Sequence, residues 1–443
     1  MKRYDSYKDS GTIWFDDVPE KWIVTKIKYF CYKVVNGATP STNNPLYWEG
    51  NIPWIPSGMC HDCEITEADK FITEEGFRNS STKLVPANTT LVALTGATCS
   101  KTGYLLFESC TNQSIAALIN RKGIFSKYFF YLLQTLRPQL LTYQTGGAQA
   151  GVNVGNCKNL TGLFPSYEEQ EAICMFLDSK CGEVDKVIST QEKRIALLQE
   201  LKQSIITHAV TKGLNPNVKM KDSGIEWIGE VPEHWEVYKI KHILIKGKNG
   251  IKIGPFGSSL TGNVGEGLPY KLYGQWNIID RDFTAGTNTI NQNVYNRLAN
   301  YKVIEGDILV SMMGTIGKCA TVPENIKEGV MDSHVVKISL NKSIFNNQYF
   351  EYFYDKDNSN IAFNEINKLK GGSIMDGLNS SIIKNLSITV PPLTEQKEIA
   401  SYLDKRCASI DASISKAQRE IELLQEYKQS LITEVVTGKR KVC

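Results

Sequence analysis

No stretch of this sequence stays apolar for the roughly 20 residues that a membrane-spanning helix needs. The opening MKRYDSYKDSG has none of the apolar character of a secretory signal. The eleven cysteines are odd in number and scattered, without disulfide-framework spacing, so they read as reduced thiols in a cytoplasm. A one-sided charge is missing too. The chain carries only +3 overall, so a nucleic-acid surface would have to be a local patch and not a uniformly basic domain.

Catalytic signatures are equally scarce. GTIGKC (314–319) and ATCSKT (97–102) lack the spacing with which a phosphate-binding loop points backbone N–H groups at its ligand. There is no H-E-x-x-H pair, nucleophile elbow or kinase set. The amino-methyltransferase motif N/D-P-P-aromatic is absent as well, and NNPLY (43–47) reads as a turn. CHDC (60–63) offers three ligand-type side chains, but a structural zinc site wants a second clustered pair and none follows. The five histidines are dispersed.

What the chain does have is itself, twice. KDSGTIWFDDVPEKWIVTKIK (8–28) returns as KDSGIEWIGEVPEHWEVYKIK (221–241), with 13 of 21 positions identical. A second pair, 169–211 and 395–437, aligns without a gap and is about half identical. At 443 residues with 42% hydrophobic content, two or three domains with real cores are expected. The repeat assigns them: a first head over 1–164, a central helix over 165–213, a second head over 214–390 and a C-terminal helix over 391–443.

Each helical segment carries a stripe that steps by four and three. In the central helix it comprises Leu177, Val184, Ile188, Ile195, Leu198 and Ile205; in the C-terminal helix it comprises Leu403, Ile410, Ile414, Ile421, Leu424 and Leu431. Cys181, Cys407, Gln191, Ala417, Lys202 and Lys428 fill the remaining steps. A 3.5-residue period is a coiled-coil seam, and the natural partner of each stripe is its duplicate. The alternative is that each helix packs on its own head. Ser166 with Glu169 suits a capping box for the first helix, and Thr394 suits a cap for the second. Between the repeated parts, short apolar runs such as TTLVALTGATCSKTGYLLF alternate with turn residues, and SKYFFYLLQTL (126–136) and NNQYFEYFYDK (346–356) look helical. The fold class is therefore α+β: two mixed α+β domains in tandem, separated by two long helices packed as an antiparallel coiled coil, with internal pseudo-two-fold symmetry.

The layout resembles the specificity subunits of type I restriction-modification systems. VPEKW and VPEHW resemble the family's entry motif; FPSYEEQEAICMFLD and VPPLTEQKEIASYLD resemble its helix entries; ALLQELKQSIITHAVTKG and ELLQEYKQSLITEVVTGK resemble its helix ends. NGATPSTNNPLYWEGNIPWIPSG and IKIGPFGSSL resemble openings of its target-recognition domains. The resemblance implies that each head reads one half of a bipartite, asymmetric site in double-stranded DNA. It implies that the helices set the spacer and dock two modification subunits, and that restriction subunits join where present. S-adenosylmethionine, ATP and Mg would belong to those partners and no cofactor to this chain, which would perform no chemistry. Two rival readings are a coiled-coil scaffold with protein-binding heads and a specificity subunit of a combined methylase–nuclease system.

Base edges are read by polar side chains on loops, while phosphate contacts only set position. On that basis the expected DNA contacts in the first head are Asn36, Thr39, Ser41, Thr42, Asn43, Trp48, Ser57, Thr98, Lys101, Gln144 and Gln149. In the second head they are Lys252, Ser258, Ser259, Gln275, Asn277, Met313, Thr315, Lys318, Lys370 and Ser373. Trp48 and Trp54 also read as partial core, and Trp14, Trp22, Trp227 and Trp235 as scaffold anchors.

Overall fold

The computed structural model describes residues 3–144, 151–247, 250–255, 259–260, 264–313, 315–355, 357–369 and 380–442. The central helix runs Tyr167–Lys212 and the C-terminal helix Leu393–Val436. At 1.5 Å per residue each is a rod of about 65–70 Å. The chain divides into two compact units, 1–191 with 419–443 and 192–418. Each unit thus takes half of each long helix together with one head.

In the first unit the sheet order is Cys31–Asn36, Ile115–Asn120, Thr89–Ala93, Thr102–Leu105, Cys63–Ile65, with only the last pair parallel. A second, three-stranded sheet runs Cys110–Thr111, Trp48–Ile55, Lys70–Ile72. The second unit repeats the core of that arrangement as Ile251–Ile253, Val335–Ile338, Ile308–Ser311, Cys319–Thr321. Helices Ser126–Thr135 and Asn347–Tyr354 lie where the sequence places them. Each buries an aromatic-rich face, Tyr128 and Phe129 in one case, Tyr349 and Phe350 in the other.

The repeated segments meet at one joint per unit. Trp22 is buried and donates its indole N–H to Glu169 at 3.1 Å; Trp235 is buried and donates to Glu395 at 3.0 Å. The adjacent glutamines close the joint. Gln170 donates to the Pro165 carbonyl and accepts from the Phe125 N–H, while Gln396 donates to Pro391 and accepts from Asn346. The E-Q pair that opens each helix is therefore a clamp between entry motif, helix start and head. Because the ring of Trp235 is wholly buried, Trp235→Ala is expected to cost about 3–5 kcal/mol, read as a lower melting transition, with Trp235→Phe losing less.

Only half of the expected capping box forms. The Glu169 N–H does bond to the Ser166 hydroxyl at 3.3 Å, but the Glu169 carboxylate goes to Tyr4 and Trp22 instead of returning to the cap. Thr394 is not a cap: the C-terminal helix starts at Leu393, and the Pro392 carbonyl receives the Gln396 N–H.

Both packing schemes considered for the stripes are realised. Leu177, Cys181 and Leu431 lie in the first head's core, and Leu403 and Cys407 in the second's. Nearer the middle of the helices the stripes are buried or half-buried against each other, Val184, Ile188, Ile421 and Leu424 in one unit and Ile195, Leu198, Ile410 and Ile414 in the other. The lysines on the seam cross it. Lys428 bonds Asp185 at 2.7 Å, and Lys202 bonds Asp411 at 2.8 Å. Such partly exposed pairs contribute about 0.2–1 kcal/mol each; a lysine at a seam position acts mainly by fixing register.

Candidate nucleic-acid interface

Four loops of the first head are tied into one polar cluster. The Ala38 N–H bonds the Thr111 carbonyl at 2.9 Å, and Thr39 donates to the side chain of Gln113 at 2.6 Å. The Asn36 amide reaches the Gln113 carbonyl. Thr98 donates its hydroxyl to the Ser57 carbonyl at 2.9 Å, and Thr95 bonds Ser114 at 2.8 Å. Gly37 is required at the crossing, because a Cβ there would overlap the Thr111 carbonyl.

The second head builds the same junction from different residues. The Gly254 N–H bonds Val335, the Met312 N–H bonds His334, and the Asp332 N–H bonds Tyr273. A Cβ on Gly254 would overlap the Asp332 carbonyl, as at Gly37 in the first head. In one head Asn112 accepts the Ser114 N–H; in the other Asp332 accepts the His334 N–H at 2.8 Å. Burial pushes the Asp332 carboxyl above its usual range, against the pull of that N–H and of the His334 ring. Corresponding loops therefore come together in both heads while their exposed side chains differ.

The expected contact residues divide by what they do. Asn36, Ser41, Thr42 and Asn43 are exposed on the first loop. Thr42 and Trp48 line a cleft of about 620 Å³ with Glu49, Asp69 and Lys70. Trp48 packs edge-on to the buried Trp54 at 5.2 Å and donates to the Ser41 carbonyl, so it braces this loop. Ser57 and Lys101 are half-buried, and Thr98 is buried. Gln144 is exposed but follows the helix Arg137–Leu141, away from these four loops in sequence.

In the second head, Gln275 accepts the Met312 and Met313 N–H groups, and buried Asn277 donates to the Asp282 and Ala285 carbonyls. Lys252 lies over the Tyr301 ring, the Ser259 carbonyl takes a bond from Arg297, and Lys318 pairs with Asp357 at 2.7 Å. Among the described residues the buried Thr315 hydroxyl has no hydrogen-bond partner, and Met313 is 50% exposed. Gln149, Ser258, Lys370 and Ser373 lie outside the described residues.

Sequence reasoning passed over Thr95, Gln113, Trp276 and His334, all exposed in these loops. The polar triplet Asn112–Gln113–Ser114 ahead of an apolar strand was a readable turn signal for the second of them. The CHDC stretch is dispersed by folding: Cys60 is buried, its thiol pushed up to about 12 by burial, while His61 and Cys63 are exposed. Among the described residues no group of three or more His, Cys, Asp or Glu side chains is placed to hold a metal. Among the same residues no helix is long and apolar enough to cross a membrane.

The family model described as type I restriction modification DNA specificity domain matches residues 19–200 and again 232–423. The chain belongs to this family. This specificity chain is 24% identical over 438 residues to the type I restriction enzyme MjaVIII specificity subunit of Methanocaldococcus jannaschii, covering 96% of itself and 94% of that protein. It is 20% identical to the EcoKI specificity subunit of Escherichia coli K12, covering 95% of itself and 89% of that subunit. Its fold matches a solved chain at 15% identity with a TM-score of 0.66, covering 96% and 99% of the two chains. That structure is described as the basis of complex assembly and conformational transition of the type I R-M system. The two matched stretches each begin in or near a repeated entry motif and extend into a long helix, so the family unit coincides with the internal repeat.

Proposed function

We propose that this chain is the sequence-specific DNA-recognition subunit of a type I restriction-modification complex, and that each head reads one half of a bipartite asymmetric site. The observation that carries the reading is the loop cluster built twice on one backbone plan with different side chains at its surface. Shared geometry presents both heads to a duplex in the same way; divergent side chains give the two half-sites different sequences. Within the cluster Thr98, Gln275 and Asn277 hold the loops. Base contact falls to exposed groups such as Asn36, Ser41, Thr42, Asn43, Gln113 and His334.

On this reading the chain performs no chemistry. Adenine methylation by S-adenosylmethionine, and ATP- and Mg-dependent restriction where it occurs, belong to partner subunits in the cytoplasm. Footprinting of the chain with its purified modification subunit is expected to protect two short segments separated by an unprotected gap. Absence of any protected site would favour the rival reading of protein-binding heads. A combined methylase–nuclease system would give the same footprint and differ only in the subunits that accompany it.

The paired helices supply matching docking surfaces for two modification subunits. Leu197 and Leu201 are 64% and 48% exposed; Leu423 and Tyr427, their counterparts 226 residues on, are 49% and 51% exposed. Each pair stands one turn apart on one helix face. The double substitution Leu197→Glu with Leu201→Glu is expected to remove one modification subunit, and the same change at Leu423 and Tyr427 the other, as read by the mass of the purified complex.

A further inference from the structure

Trp276 stands in the second head's loop cluster with 73% of its surface exposed, on the short helix Gln275–Ile279. Water is a poor environment for an indole, so a tryptophan this exposed on a well-held element asks for an occupant. The element is well held. On one side of Trp276, Gln275 accepts the N–H groups of Met312 and Met313 at 3.1 and 3.0 Å. On the other, Asn277 is buried, accepts the Gly274 N–H and donates to Asp282 and Ala285. Ile278 is packed in the core behind them. The same clamp brings the backbone of half-exposed Met313 against the Trp276 helix. In the first head the corresponding turn, Ser57–Met59, is held by Thr98, and its tip is Gly58, with no aromatic ring.

Two apolar side chains among polar loops do not make a protein interface, which needs about 800 Å² per partner around an apolar centre. They do suit a nucleobase, whose faces stack on aromatic rings while its edges and phosphates meet polar groups. Exposed His334, whose carbonyl takes the Met312 N–H at 3.1 Å, supplies such a group beside them. We propose that Trp276, flanked by Met313, wedges against a base step of the half-site read by the second head and partly unstacks it, in the way apolar side chains distort duplexes elsewhere. This rests on the DNA-recognition reading and adds an asymmetry to it: the second head deforms its half-site through a ring that the corresponding turn of the first head, Ser57–Met59, does not carry.

The test uses the chain in complex with its modification subunit. The duplex carries the motif found by methylation-sensitive sequencing, with 2-aminopurine substituted in turn along both half-sites. With the wild-type complex, emission is expected to rise at the methylated adenine of each half-site, where the modification subunit flips the base. Apart from those two positions, it should rise several-fold at one further step, in the half-site read by the second head. Trp276→Ala should abolish that further rise and weaken binding by roughly 5- to 150-fold, the range for loss of one aromatic–base contact, while Trp276→Phe keeps most of both. Because the indole is exposed, W276A should melt with the wild type. Unchanged emission and affinity in W276A would overturn the wedge while leaving DNA recognition intact, and loss of the modification subunit from W276A would overturn it in favour of a protein contact. A wild-type complex that binds no duplex at all would remove the DNA reading itself, and the wedge with it.

Discussion

Replacing residues 29–164 with the matching region of a relative is expected to change one half of the methylated motif and leave the other half and the spacer as they were. The expectation follows from how the first head is attached. Its joint to the helices is made by Trp22, Glu169 and Gln170, and Trp22 lies outside the exchanged segment, as do the helix residues. The first unit is closed by the end of the C-terminal helix, where Leu431, Ile432, Val435 and Val436 enter its core. A foreign head therefore meets an unchanged socket, provided that it brings the backbone that receives the Gln170 clamp. The second head keeps its own core, with Trp235, Ile240 and Tyr349 buried together. Methylation-sensitive sequencing of DNA from cells carrying the hybrid reads the result directly. A motif altered in both halves, or in neither, would show that the heads do not read independently.

A heptad inserted after Gln191 in the central helix and a second after Gln418 in the C-terminal helix should lengthen the spacer and spare both half-sites. These are the points at which the two units divide. Seven residues keep the 3.5-residue seam in register and add about 10 Å of helix. With base pairs rising about 3.4 Å each, the gap should grow by about three base pairs. A four-residue insertion in one helix alone is the contrasting case. It shifts the stripe against its partner and misaligns Lys202 from Asp411 or Lys428 from Asp185, so it should destabilise the pair. A spacer that stays constant after two heptads would mean that something other than the helices sets it.

Much of the architecture was legible because it is written in one-dimensional terms. A helix reports itself through a periodic stripe, and Leu177 to Ile205 and Leu403 to Leu431 are such stripes. A duplication reports itself through identity, and the repeated entry motifs located both joints. Strand Thr89–Ala93 and helix Ser126–Thr135 were legible from local composition. Helix starts were less so. Thr394 has the right chemistry for a cap, yet the Glu395–Trp235 bond and the Gln396 clamp decide where that helix begins.

The expected contact residues were the least legible part, for a physical reason. A polar residue after a strand can face a duplex or hold the loop that does, and its neighbours in sequence are the same in either case. Gln275 and Asn277 hold their loop, because the Met312, Met313, Asp282 and Ala285 backbone groups arrive from distant or turned segments to use their amides. Trp276 lies between them and is left exposed; an aromatic ring next to a strand reads as core until the core is seen to be filled. The sequence by itself determined that there are two heads, two long helices and a repeated joint, since those follow from periodicity and identity along the chain. Tertiary structure alone decided which polar groups are consumed within each head and which remain exposed, because hydrogen-bond partners tens of residues away compete for the same side chains.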